Sequence, residues 1–385
     1  MKALSSTRVL KNVQKHSENT IFCANEQILS FSFFEHRYSF YSRNTMKKAV
    51  SIKEIAEALG MSRNTVSKAL NGQHVPARTK EAVLRKAQEM HYKSFDSDLL
   101  KSRKHRILLL SGKPFHNMNF FLPIVKAIEK CCYDSNYELF EYTYNGKTTF
   151  FDTVSQRIDD LNPDGILAIE CFDSKFINKL LEKELPVCFL DFPGYAFDPS
   201  RPHDLLCCYD EKLVRKYVES LIEEQGAKRF CFVGDYHHCL SFHERYMGMI
   251  RGVNLGGIKH TKEDDILYKD AEFDAGSVAA FKERILNLNQ LPDCFVCCND
   301  FVARKVATAL KELGHRIPKD VMIIGFDDVA EAVEERPYLT TFAVNKTFLG
   351  EEAVRLLVSR IEAGNIATRT VMVDCALVER ESTLG

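Results

Sequence analysis

Apolar positions recur at helical spacing from Ser51 to Met90. In SIKEIAEALG (51–60), Ile52, Ile55, Ala56 and Leu59 fall on one face. Ser51 with Glu54 three residues on has the wording of a capping box, which satisfies orphan amides at a helix start. Gly60, Met61 and Ser62 then permit a sharp turn. A second helix begins at Ser62, and in SRNTVSKALNG (62–72) Val66, Ala69 and Leu70 can pack on the first helix while Arg63, Asn64, Ser67 and Lys68 face outward. A third, from Pro76 to Met90, carries proline in its first turn and turns Val83, Leu84, Ala87 and Met90 inward. The pattern predicts an N-terminal all-α unit of three helices containing a helix-turn-helix.

The period changes at Arg106. Short apolar runs, RILLLSG (106–112), DGILAIE (164–170), PVCFLDF (186–192), RFCFVGD (229–235), CFVCCND (294–300) and VMIIGFDD (321–328), alternate with amphipathic helices. Such alternation implies right-handed βαβ units and parallel sheets covered on both faces. The elements are too many for one small sheet, so the pattern predicts an α/β domain of two doubly wound lobes, with a ligand crevice at the carboxyl ends of the strands. Residues 1–45 show no sustained period, although ILSFSFFEHRYSFYS (28–42) is aromatic and β-prone. Met46, Lys47 and Lys48 stand directly before the first helical unit and resemble a natural start. Residues 1–45 are therefore unassigned and are expected to be a start-site artefact, with a disordered extension as the alternative.

Composition refines this picture. With 385 residues, 45% apolar and 27% charged, the chain can bury two or three compact units. The net charge is −1, yet between Met46 and Lys93 basic residues outnumber acidic ones ten to four. A small basic module thus precedes a larger acidic one. Cys188, Cys207, Cys208, Cys231, Cys297 and Cys298 lie inside apolar runs, which suits reduced, buried thiols and a cytoplasmic location better than a secreted disulfide framework. No run approaches the roughly 18 apolar residues of a membrane span, and the layout of a signal peptide is missing.

The outward face of the second helix has the chemistry of base reading: Arg63 and Lys68 can donate to guanine and Asn64 can bond adenine bidentately. Thr65 and Ser51 suit phosphate oxygens, and Ser62, Ser67 and Asn71 complete the expected DNA-facing set. A helical hairpin with solvated charged faces is the alternative, and the basic surplus weighs against it. In the second unit Asp191, Asn299 and Asp327 each follow a predicted strand, while Ser241 and Arg245 open the helix in SFHERYMGM (241–249). An arginine flanked by acceptors suits bidentate recognition of vicinal hydroxyls or a carboxylate. Taken singly, Asp191 or Asp327 reads as a strand-end or capping carboxylate. Cys294, Cys297 and Cys298 invite a zinc reading, but a strand interior turns residues three apart to opposite faces. The histidines between His237 and His243 read as a loop lining the cleft before they read as metal ligands. No nucleophile elbow, phosphate loop or zinc-protease motif is written in the chain, so no catalytic residues, metal or cofactor are expected.

The stretch VSIKEIAEALGMSRNTVSKALNG with TKEAVLRKAQEMHY (50–92) resembles the lactose-repressor family of bacterial regulators. NDFVARKVATALKELGHRIPKDVMIIGFDD (299–328), LTTFAVNKTFLGEEAVRLL (339–357) and LVERES (377–382) extend the resemblance over the chain after Met46. It implies a type I periplasmic-binding-protein-like sensor and dimerisation core, base contacts from Arg63, Asn64 and Lys68, and effector contacts from Asp191, Arg245, Asn299 and Asp327. Phe120 and Phe121, after Asn119, stand where the family sets an aromatic ring against the effector. The implied domains are 46–93 for DNA binding, 94–105 for the hinge, and 106–385 for the sensor. Lobe one takes roughly 106–204 with 344–370, and lobe two 205–343 with 371–385. The implied function is a homodimeric repressor of a palindromic operator, modulated by a sugar or sugar phosphate, with a purine or other metabolite as the alternative. Rival readings are a carbohydrate-binding protein without DNA activity and a sugar-modifying α/β enzyme. One departure stands out: Lys93, Ser94 and Phe95 replace the family's Pro-Asn hinge entry, Lys101 falls on the leucine position, and only a register shift would bring Leu99 or Leu100 there. Asp96 and Asp98 would repel phosphate.

Overall fold

The computed structural model describes residues 50–70, 75–92, 105–113, 119–144, 148–193, 201–269, 275–329, 337–364 and 367–384. Asn71, Leu99, Leu100, the Met46 start and segment 1–45 lie outside them. The chain divides into two compact units, the second beginning at Arg103.

The first unit consists of α1 (Ile52–Leu59), α2 (Arg63–Leu70) and α3 (Ala77–Glu89). The capping box forms: the Glu54 amide donates to Ser51 Oγ at 3.3 Å and the Ser51 amide to Glu54 Oε2 at 2.7 Å. Gly60 ends α1 in the left-handed region at φ 62°, where a side chain would be strained. Ile55, Ala56, Val66, Ala69, Val83 and Ala87 form the core. Alanine at three of these six positions lets the short helices approach closely, and Ile52, Leu59, Leu70, Met90 and Tyr92 close the rim.

The second unit opens with β1 (His105–Ser111), α4 (Phe121–Asp134), β2 (Tyr137–Thr143), α5 (Phe151–Leu161), β3 (Gly165–Ile169), α6 (Ser174–Leu181), β4 (Val187–Leu190) and β5 (Asp204–Cys208). It continues with α7 (Asp210–Gln225), β6 (Phe230–Gly234), α8 (Leu240–Leu255), β7 (Ile266–Leu267), α9 (Val278–Leu286), β8 (Cys294–Cys297), α10 (Asp300–Glu312) and β9 (Met322–Ile324). β10 (Thr341–Ala343), α11 (Lys346–Ala363), β11 (Arg369–Val373) and β12 (Ala376–Val378) complete it. Two parallel sheets result, ordered β11-β5-β4-β3-β1-β2 and β7-β6-β8-β9, with β10 and β12 as an antiparallel pair. The first sheet is buried on both faces. Ile107 and Leu109 of β1 pack with Ile124 of α4 and Leu357 of α11, while Leu108 and Leu110 pack with Val154 of α5 and Phe176 of α6. That two-sided burial is why these strands read as continuous apolar runs.

The lobe limits differ from expectation. β5 pairs with β4 and β11 in the first sheet, so the chain leaves lobe one at Tyr209 and, after coming back before α11, leaves it again after Val373 instead of crossing after Asp204 and Thr370. Asp204 anchors this edge. Fully buried, it accepts from Arg360 Nε and Nη2 at 2.9 and 2.6 Å and from Arg369 Nε and Nη2 at 2.8 and 2.6 Å. Burial opposes its charge, but the guanidinium forks of Arg369 and Arg360 prevail and hold its pKa below the usual carboxylate value. A strand pinned at its first residue by two arginines stays with lobe one.

In lobe two α8 lies directly against α7 through Gly248, Gly252 and Gly256. A Cβ on Gly248 would sit 2.5 Å from the Glu211 carbonyl oxygen, and one on Gly252 would sit 2.9 Å from that of Arg215. Backbone cannot yield as a side chain can. Among the described residues no helix is long and apolar enough to cross a membrane. Gly248→Ala should cost about 1–3 kcal/mol through overpacking, seen as a lower urea midpoint with an unchanged slope; a wild-type midpoint would show that the helices separate freely.

Candidate functional site

Each unit presents one candidate surface. In the first unit Arg63, Asn64 and Lys68 are exposed on α2, and Ser67 is half-buried. Among the described residues neither Arg63 nor Lys68 is in an ion pair. The expected phosphate ligands are engaged locally: Ser62 Oγ accepts from the Thr65 amide at 3.1 Å and lies 2.8 Å from Thr65 Oγ1, while Ser51 Oγ donates to Glu54 Oε2 at 2.8 Å. A hydroxyl at a helix start serves the unpaired amides of the first turn before any outside partner.

In the second unit a cavity of about 480 Å³ opens at the carboxyl ends of the parallel strands. Phe120, Phe121, Asp191, Ser241, Arg245, Asn299 and Asp327 all line it. Phe120 and Phe121 meet edge to face with centroids 4.9 Å apart at the start of α4. Asn299 caps α10, its Oδ1 accepting from the Val302 amide at 2.9 Å. Asp191 Oδ1 accepts from the Phe192 and Ser241 amides at 2.8 and 3.3 Å, joining the end of β4 to the start of α8. Burial pushes the Asp191 carboxyl up, against the pull of these donors.

Arg245 differs from its expected role as an open fork. Its Nε donates to Asp210 Oδ2 at 2.8 Å, Nη1 to the Cys298 carbonyl at 2.5 Å and Nη2 to Asp327 Oδ1 at 3.4 Å. The guanidinium carbon also lies 3.6 Å from the Phe326 ring centroid. With a buried side chain, Arg245 has a protein acceptor on each of its three nitrogens. Burial works against its charge, but Asp210 and Asp327 more than offset this and hold its pKa above the usual value. Asp210, the fully buried first residue of α7, was not singled out from the sequence. Its partner lies 35 residues away, and no local pattern announces such a pair.

The carboxyls here share too few cations. Burial raises Asp210 to about 6 and Asp327 to about 7 despite Arg245, and burial raises Glu244 to about 7 with Asp210 adding to it. The strand ends are also bent into unusual backbone: Glu170, Asp191, Asp327 and Asp328 have φ of 56, 63, 108 and 49°. Non-glycine residues with positive φ are uncommon and gather where tertiary contacts impose them. Lys346, opening α11, supplies one such contact by donating to the Asp327 and Asp328 carbonyls.

The remaining cations of the cavity wall are matched as well: Lys113 Nζ lies 2.8 Å from Glu170 Oε2, and Arg304 Nη2 donates to the Val329 carbonyl. Phe242 and Phe301 add aromatic surface. Lys113, Glu170, Phe242, Phe301 and Arg304 escaped sequence analysis because each looks like an ordinary loop or helix residue until the two lobes are assembled. Cys294, Cys297 and Cys298, the candidate zinc thiols, are buried within lobe two's core.

Residues 218–383 match the family model of a periplasmic binding protein-like domain. The chain is 26% identical over 339 residues to the HTH-type transcriptional repressor PurR of Mannheimia succiniciproducens, covering 86% of this chain and 98% of that protein. The PurR repressor of Pasteurella multocida is 27% identical with the same coverage. Among solved structures, the complex of the transcriptional regulator CelR with cellobiose superposes with a TM-score of 0.64 at 20% identity, covering 86% of this chain and 99% of that one. The lac repressor dimer bound to operator and the anti-inducer ONPF gives 0.60 at 20% identity, covering 88% and 100%.

The raised Asp327 pKa sets a pH dependence. The folded state keeps a proton on this carboxyl up to about pH 7, whereas the unfolded state releases it near pH 4. The contribution to stability is therefore complete below about pH 4 and lost as pH rises through about 7. The Tm of wild type minus that of Asp327→Asn should fall between pH 5 and pH 8 (from about one unit above the unfolded titration to about one unit above the folded one); a constant or rising difference would show that Asp327 stays ionised when folded.

Proposed function

We propose that this chain, a member of the lactose-repressor family of transcriptional regulators, is a DNA-binding repressor whose operator affinity is set by a small uncharged molecule in the cavity of its second unit. The observation that carries this reading is a cleft of about 480 Å³ lined from both lobes, by all seven residues expected from the sequence among others, with its cations matched by protein acceptors. A phosphorylated effector would have to compete with these carboxylates and carbonyls for its counter-charge. A sugar offers hydroxyls to Asp191, Asn299 and Asp327 and apolar ring faces to Phe120 and Phe121. Paired charges and aromatic walls thus favour a neutral sugar over a sugar phosphate.

DNA reading falls to the exposed face of α2. Arg63 and Lys68 present cationic donors and Asn64 a bidentate amide, and the α1–α2 turn holds them on a rigid three-helix core. The named relative crystallised as a dimer on operator supports a homodimer reading a twofold-symmetric site. Binding across the lobes favours one arrangement over the other, and the difference in effector affinity between the two arrangements is what reaches the operator. We assign the chain a cytoplasmic location, consistent with its many buried free thiols, and no catalytic activity, since Asp210 and Asp327 are committed to Arg245.

Arg63→Ala should weaken binding to a palindromic operator about 5- to 150-fold, corresponding to about 1–3 kcal/mol, while the thermal transition stays at the wild-type temperature. Fluorescence anisotropy across a salt series measures this, and unchanged affinity removes Arg63 from base reading. In a thermal-shift screen neutral mono- and disaccharides should raise the Tm of the full chain, and Phe121→Ala should abolish that rise without changing effector-free operator affinity. Stabilisation by sugar phosphates or purines alone would overturn the proposed effector class.

A further inference from the structure

Two thiols meet where the chain crosses between the lobes. Cys208 ends β5 where the chain first leaves lobe one, and Cys375 lies between β11 and β12 where it leaves lobe one again, in the same direction. The two crossovers run side by side: Cys208 pairs with Val373, and the Tyr209 amide donates to the Val373 carbonyl at 3.0 Å. Asp210 follows directly. The two sulfurs and a carboxylate oxygen of Asp210 all lie within 4.8 Å of one another, and all three residues are buried. Asp210 divides its oxygens, since Oδ2 is held by Arg245 at 2.8 Å while Oδ1 lies 4.0 Å from Cys375 Sγ. A carboxylate with one oxygen oriented by a neighbouring donor and the other turned to thiols has the form of a metal ligand with its outer-shell partner.

Access and charge support the same reading. Cys208 lines the cavity, so the cluster adjoins a route from solvent. Asp191, Asp210, Glu244 and Asp327 crowd this region, with Glu244 Oε2 accepting from the Asp210 amide at 3.3 Å. Arg245 and Lys346 are the cations acting on them. An added dication would correct the imbalance.

We propose that Cys208, Cys375 and Asp210 bind a thiophilic divalent cation of the zinc and cadmium type, with a fourth position facing the cavity. Two thiolates and one carboxylate leave a tetrahedral ion one open place. Binding replaces the two thiol protons, which leave to solvent, and no electron is transferred. The ion ties one crossover to the other and shares Asp210 with Arg245. The proposal does not depend on the identity of the effector.

Cadmium added to the full chain, reduced and stripped with chelator, tests it. The thiolate-to-cadmium charge-transfer absorption should saturate at one equivalent. Cys208→Ser and Cys375→Ser should each weaken that equivalent at least tenfold, while Cys297→Ser, placed in β8, should leave it unchanged. Wild-type protein supplies a second readout free of folding effects: cadmium should protect Cys208 and Cys375 from alkylation, measured by peptide mass spectrometry, while half-buried Cys131 continues to react. Absence of the band, its survival in both crossover variants, or equal alkylation with and without cadmium would overturn the site. So would a Cys208–Cys375 disulfide in the purified protein that binds no cadmium after reduction.

Discussion

A buried guanidinium must be matched by acceptors, and Arg245 draws lobe two together on that requirement. Its acceptors come from the first residue of α7, the carbonyl after β8 and the carboxylate after β9, points far apart in sequence. Removing one member of such a buried pair typically costs about 3–5 kcal/mol, because the other is left charged and dry. The cation thereby determines where three chain segments end, and those ends form one wall of the cavity. Asp327 reaches it only from a backbone with φ of 108°, which Lys346 braces from α11. The glycines of α8 serve the same end, because the helix carrying Arg245 lies close enough to α7 for its Nε to meet Asp210.

Lobe one solves the same problem with the opposite balance. Asp204 has two guanidiniums for one carboxylate, and its pKa falls below the usual range. Arg245 has two carboxylates for one guanidinium, with Asp191 and Glu244 nearby, and the carboxyls rise to about 6 and 7. Excess donors make the Asp204 cluster a permanent clamp on the sheet edge. Excess acceptors leave the cavity wall able to take up or release protons near neutrality, and they favour cations or neutral ligands over anions.

Much of this was legible along the chain. The three helices of the first unit follow from periodicity, the Ser51–Glu54 box and the Gly60 turn, because each is decided within a few residues. The six apolar runs became strands since only a sheet covered on both faces accommodates such unbroken apolarity. Asp191, Asn299 and Asp327 could be assigned to the cavity because residues just beyond parallel strands share one edge of a sheet. Other features left no local mark. β5 and β11 resemble any short apolar segment, so the lobe limit was misplaced by the few residues that the Asp204 clamp holds in lobe one. That the hydroxyls of Ser51 and Thr65, read as phosphate ligands, also bond within their own helix starts appears only in the structure.

The sequence by itself determined which segments become helices and strands, where they are capped, and which side chains stand at strand ends. These are short-range matters, governed by side-chain periodicity and by backbone groups that need partners close by. Tertiary structure alone decided that Arg245 is enclosed by Asp210 and Asp327, that Cys208 and Cys375 meet at the crossovers, and that the cavity's cations are paired internally. The physical reason is that burial couples ionic groups far apart in sequence, and which acceptor lies within reach of a guanidinium is known only once the sheets have formed.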